Sequence, residues 1–134
     1  MSIFKTIYNL KRDNKRIKLV QEASLAKEPY AGYKIDNGLI FGTKEWFDGI
    51  EKGIIPKHIV KGVISKVYIS GHNDYPEVEI ENSNGKTIWT RFGNDVAYQV
   101  GKNIELTYVE QKYKRPTDVS GFISKCVIEV KISE

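Results

Sequence analysis

Residues 76–92 read PEVEIENSNGKTIWTRF, and this stretch decides the fold class. From Glu77 to Glu81 the side chains alternate strictly, with Val78 and Ile80 on one side and three glutamates on the other. Period-two alternation is the mark of a strand with one buried face. Asn82-Ser83-Asn84-Gly85 then supplies turn chemistry, because Asn-Gly tolerates the positive φ angles of a tight hairpin. Thr87 to Phe92 is the return strand. A two-residue loop and a four-residue loop give the same parity, so both place Trp89 on the face of Val78 and Ile80. Trp89 therefore reads as a core residue, not as a platform for a base. The glutamates at 77, 79 and 81 lie about 7 Å apart along one strand face. They read as a solvated row that discourages edge pairing.

Working outward, residues 59–70 are a long β-branched run interrupted by Gly62, where a strand bends. Residues 71–76 are a turn by composition. Beyond the hairpin, residues 93–99 leave room for one helical turn, and Asn103 to Val109 is a further strand. A loop containing Pro116 and Gly121 leads to the last strand, where Cys126, Ile128, Val130 and Ile132 share a face. Five strands in this order, the first one bent, match the element order of an OB-like barrel.

The N-terminal part reads differently. Ile3, Ile7, Leu10, Ile17, Val20 and Ser24 recur at helical spacing across residues 2–27, with neither Gly nor Pro between them. Lys11 to Arg16 is wholly polar, so the segment is one helix or two short pieces. Thr43 is a candidate N-cap for a second, short helix carrying Trp46, Phe47 and Ile50, closed by Gly53 and Pro56. The expected architecture is α+β in a single domain of residues 1–134. It comprises a basic helical arm (1–28), a connector with a short helix (29–57) and a C-terminal five-stranded antiparallel small β-barrel (58–134), OB-like by strand order.

Charge is uneven along this frame. The net charge is +4 over 134 residues. Residues 1–28 hold seven basic and three acidic side chains, so the arm carries the whole excess and the rest is neutral. Charge asymmetry of this kind suggests an anionic partner. Nucleic-acid backbone and the surface of an anionic membrane both meet that description, although packing of the arm on the body explains its pattern equally.

Chemistry-bearing residues are few. There are two histidines, His58 and His72, and one cysteine, Cys126. No metal-ligand spacing, nucleophile elbow or phosphate loop is present in the sequence. The expectation is a noncatalytic binding module without cofactor or metal. A single cysteine allows no internal disulfide, no apolar run reaches the ~20 residues of a membrane span, and the first residues lack a signal-peptide core. A cytoplasmic location is expected.

In an OB-like barrel the ligand loops join strands one to two and four to five. Here those loops hold His72 and Tyr75, and Lys112, Tyr113, Lys114 and Arg115. Cations for phosphates and rings for bases are the two parts of single-strand recognition. The candidate ligands are thus single-stranded nucleic acid at these six residues or, as the alternative, a protein partner, as an adaptor or immunity-type protein would bind.

Overall fold

The structure is a computed structural model that describes residues 3–26, 32–35, 38–71, 75–117 and 121–134. Its elements, in order, are strand β1 (Phe4–Asn9), a 3-10 turn (Leu10–Arg12), helix α1 (Asn14–Leu25), helix α2 (Lys44–Glu51), strand β2 (Lys57–Ile69), strand β3 (Pro76–Asn82), strand β4 (Gly85–Thr90), a second 3-10 turn (Asp95–Ala97), strand β5 (Asn103–Thr117) and strand β6 (Gly121–Ser133).

The six strands form one sheet in the order β1-β6-β5-β2-β3-β4. The sheet is open, with β1 and β4 as its edges. It therefore replaces the five-stranded OB-like barrel that the element order suggested. Two sequence signals account for the difference. The first is at the N-terminus, where Phe4, Thr6, Ile7 and Tyr8 are β-branched or aromatic and favour a half-buried strand over a helix. β1 pairs antiparallel with β6, from Phe4 opposite Ser133 to Asn9 opposite Glu129, with a bulge between Thr6 and Tyr8. The helical spacing of Ile3, Ile7 and Leu10 was coincidental, because a bulge shifts strand parity by one residue. The second is β5, which continues as a strand through the basic run to Thr117 where a loop was expected.

The polar stretch Lys11–Arg16 is where the chain changes from strand to helix. Asp13 caps α1, its Oδ1 accepting from the Arg16 amide at 3.1 Å. At the other end Ser24 is buried; its hydroxyl donates to the Val20 carbonyl at 2.7 Å and accepts from the Tyr33 amide at 3.0 Å. Thr43 caps α2 as its position implied, accepting from the Trp46 amide at 3.2 Å.

The hairpin forms in the expected register. Val78 lies opposite Trp89, and Asn82 opposite Gly85, leaving Ser83 and Asn84 as the turn. Gly85, paired with Asn82 just after the turn, takes a positive φ of 121°, a region that favours glycine. Trp89 is buried, and its indole N–H donates to the Thr87 hydroxyl at 2.8 Å. In β2, Gly62 is required by close approach. A Cβ there would sit 2.5 Å from the Glu81 carbonyl oxygen and 2.8 Å from Ile80 Cγ2.

The chain divides into two compact units, each assembled from separated segments. The first unit comprises Met1–Asn9, Ile59–Thr107 and Glu129–Glu134; the second comprises Leu10–His58 and Tyr108–Ile128. Strands β5 and β6 contribute residues to both. The core of the first unit includes Tyr8, Ile64, Val78, Ile80, Trp89, Tyr98, Ile104, Leu106, Val130 and Ile132. Tyr8 also stacks on Phe92, with ring centroids 4.9 Å apart. The core of the second unit includes Leu10, Phe41, Trp46, Ile50, Val109, Cys126 and Val127.

Candidate functional site

Of the six residues singled out from the sequence, Tyr75, Lys112 and Tyr113 are described with their side chains. Tyr75 is 57% exposed at the start of the hairpin, in the first unit. Lys112 and Tyr113 belong to the second unit and lie on β5 itself. Tyr113 is engaged: it bridges Tyr33 through backbone pairing, and the two rings stand 5.9 Å apart. Lys112 offers its carbonyl to the Lys34 amide at 2.8 Å. His72, and the side chains of Lys114 and Arg115, lie outside the described residues. Within the second unit, Lys112 and Tyr113 stand together as chain neighbours on one strand.

The basic arm is likewise partly absorbed by the fold. Arg16 donates to the Val127 carbonyl at 2.9 Å and approaches Cys126 Sγ at 3.5 Å. Lys11 places its ammonium 5.4 Å from the centre of the Phe47 ring. Burial pushes the Cys126 thiol up to about 11, against the opposing pull of the Arg16 charge. Its thiolate is correspondingly scarce at neutral pH, so this cysteine behaves as a small apolar core residue. His58 meets Glu110 at 3.5 Å, with both side chains more than 40% exposed. It also stacks on Tyr108, ring centroids 5.0 Å apart. This is a solvated surface pair and not a sequestered acid–base couple. Among the described residues no three His, Cys, Asp or Glu side chains converge as a metal site requires.

Within the second unit the chain builds a different feature, a cavity of about 200 Å³. Its apolar walls come from Leu39, Trp46, Ile54, Ile55, Pro56 and Ile123; Lys34, Glu110, Gln111 and Lys112 complete the lining. Local sequence explains each wall. The Thr43 cap starts α2 so that Trp46 falls on its inner side. Gly49 lets the following loop fold back, since a Cβ there would meet Leu39 Cδ1 at 3.1 Å and the Ile55 side chain at 3.6 Å. The Ile55 amide donates to the Gly49 carbonyl at 3.1 Å and fixes that return. Pro56 then ends the loop before β2 begins.

Trp46 is fully buried and packs on Phe41 and Phe47, at centroid distances of 4.8 and 5.0 Å. Its indole Nε1 has no hydrogen-bond acceptor among the described residues. A buried donor left unpaired costs about 1–3 kcal/mol. Two large apolar side chains of the lining remain in water, Ile54 at 57% and Ile123 at 44% exposure. Sequence reasoning passed over this region because Trp46 was assigned wholly to the core. The available signal was Gly53-Ile54-Ile55-Pro56, an apolar pair inside a loop, where burial in a strand or helix does not account for it.

The family model described as Immunity protein RhsI2 matches residues 1–133. The chain belongs to the RhsI2 immunity protein family. A search of curated proteins found no match. Membership of an immunity family supports the protein-partner alternative and corrects the expectation of nucleic-acid binding. That expectation placed the basic run in a ligand loop of an OB-like barrel, and the sheet is open with Lys112 and Tyr113 inside a strand. No described helix of this RhsI2-family chain is long and apolar enough to cross a membrane.

Proposed function

We propose that this chain is a noncatalytic inhibitor that protects the cell producing it by binding a protein toxin. The match of the RhsI2 immunity family to residues 1–133 carries this reading, because an immunity protein acts by engaging a partner toxin. The exposed Ile54 and Ile123 beside the Trp46 cavity support it. Apolar side chains around a concave site, rimmed by charge, are the usual make-up of a protein docking surface. A cytoplasmic site of action accompanies this reading, and cell fractionation tests it.

The deciding experiment pairs the full chain with the polypeptide encoded beside its gene in the source genome. Cells expressing that polypeptide alone should stop growing, and coexpression of the full chain should restore growth. The purified pair should form a stable complex by titration calorimetry. Growth arrest that the chain fails to relieve, with no complex formed, would sink the reading.

A further inference from the structure

We infer that the Trp46 cavity is the anchor point for the toxin, and that its occupant is one apolar toxin side chain with a carboxylate next to it. This rests on the toxin-binding reading and gives it a place and a chemistry. Four observations lead to it. The cavity, about 200 Å³, is smaller than the roughly 300–1,000 Å³ of sites that enclose a whole small ligand, and suits a single inserted side chain. Its walls are apolar, so the inserted group is apolar as well.

The third observation is the Trp46 indole N–H, buried and without an acceptor among the described residues. Trp46 also lines the cavity; its indole N–H has no accessible surface, so a backbone carbonyl of an inserted segment satisfies it by shifting the ring as the segment enters. The fourth is charge. Lys34 and Lys112 both line the cavity, both are exposed, and a backbone hydrogen bond of 2.8 Å holds them side by side. The one carboxylate of the lining, Glu110, faces His58 at 3.5 Å. Two exposed lysines, neighbours in the lining of an apolar cavity, select a segment with an acidic residue flanking its apolar anchor. Anchors seated in well-packed, desolvated pockets carry most of the energy of a protein interface.

The test measures the affinity of the full chain for the toxin polypeptide used in the growth assay. Ile123→Asp, and separately Lys34→Glu with Lys112→Glu, should each weaken the complex about tenfold or more, while Lys18→Glu on the exposed side of α1 should leave it unchanged. Thermal melts of each variant establish that it is folded. A second readout needs no substitution. In proton NMR of the wild-type chain, the Trp46 indole proton should move downfield on complex formation as it gains an acceptor. The Trp89 indole proton, already bonded to Thr87, should stay in place.

Folded cavity variants that bind the toxin as tightly as wild type, with an unmoved Trp46 proton, would overturn the inference and leave the toxin-binding reading standing. If Ile123→Asp abolished self-association and spared toxin affinity, the occupant would be a second copy of this chain, and the inference would again fall. A wild-type chain with no affinity for the toxin would remove the functional reading and the inference with it.

Discussion

The guanidinium of Arg16 donates to the backbone carbonyl of Val127 across 2.9 Å, tying the first turn of α1 to β6. An arginine that the sequence counts as part of a basic arm is thereby a structural clasp. Its second terminal nitrogen reaches the Cys126 sulfur, so one planar fork serves two neighbouring residues of the same strand.

Arg16→Ala should lower unfolding stability by about 1–3 kcal/mol, because the Val127 carbonyl loses a charged donor in a part-buried setting. Arg16→Lys should recover only a fraction, since a lysine has no fork to span both acceptors. Urea titration reads this as a lower midpoint with an unchanged slope.

Gly62→Ala should destabilise the chain by about 1–3 kcal/mol through overpacking. The added methyl meets a carbonyl oxygen and a fully buried isoleucine of β3, and a backbone atom yields less readily than the tip of a flexible side chain. Urea midpoints of the two proteins measure the difference.

Thr87→Val keeps the shape of the side chain and removes the acceptor of the Trp89 indole N–H. Stability should fall by about 0.5–1.5 kcal/mol, the net value of one such bond. In proton NMR, the Trp89 indole resonance should move upfield in the variant and the Trp46 resonance should not.

Stability should decline in alkali. Burial holds Cys126 at about 11 against an ordinary value of 9.0, and holds Tyr33 at about 12 against 10.0. Tyr98 is likewise raised by burial to about 12. Below the unfolded values all three are protonated in both states and add no pH dependence. As pH rises past 9.0, the unfolded chain releases protons that the folded chain retains. Stability therefore falls from there up to about pH 12, and is flat with respect to these groups at neutral pH. Urea midpoints taken near pH 8 and near pH 11 should show the loss. Tyr33→Phe combined with Cys126→Ala should make it shallower, with Tyr98 contributing to what remains. Equal slopes in the two proteins would contradict this assignment.

The hairpin was legible because everything that fixes it lies within sixteen residues. Alternation sets the inner face, the Asn82–Gly85 stretch supplies the turn, and parity places Trp89 on the face of Val78. The caps of the second helix were equally local. What escaped depends on distant partners. Phe4–Asn9 is compatible with a helix until β6 offers it an edge. The run Lys112–Arg115 resembles a loop until Tyr33 pairs with Tyr113 and extends the strand. The Trp46 cavity draws its lining from separate stretches between Lys34 and Ile123, and no periodicity in a single stretch can announce it.

The pairing of β1 with β6 has a consequence for the birth of the protein. Asn9 pairs with Glu129 and Phe4 with Ser133, so β1 must wait for β6 before its edge is occupied. Synthesis at roughly 5–20 residues per second makes that wait on the order of ten seconds. Throughout it, an apolar β1 carrying Phe4, Ile7 and Tyr8 is without its strand partner, a template for mispairing in the crowded space near the ribosome. Contacts so distant in sequence also slow closure of the sheet once the chain is complete. The interval before this edge of the sheet can form is therefore set by the separation of β1 and β6 along the chain.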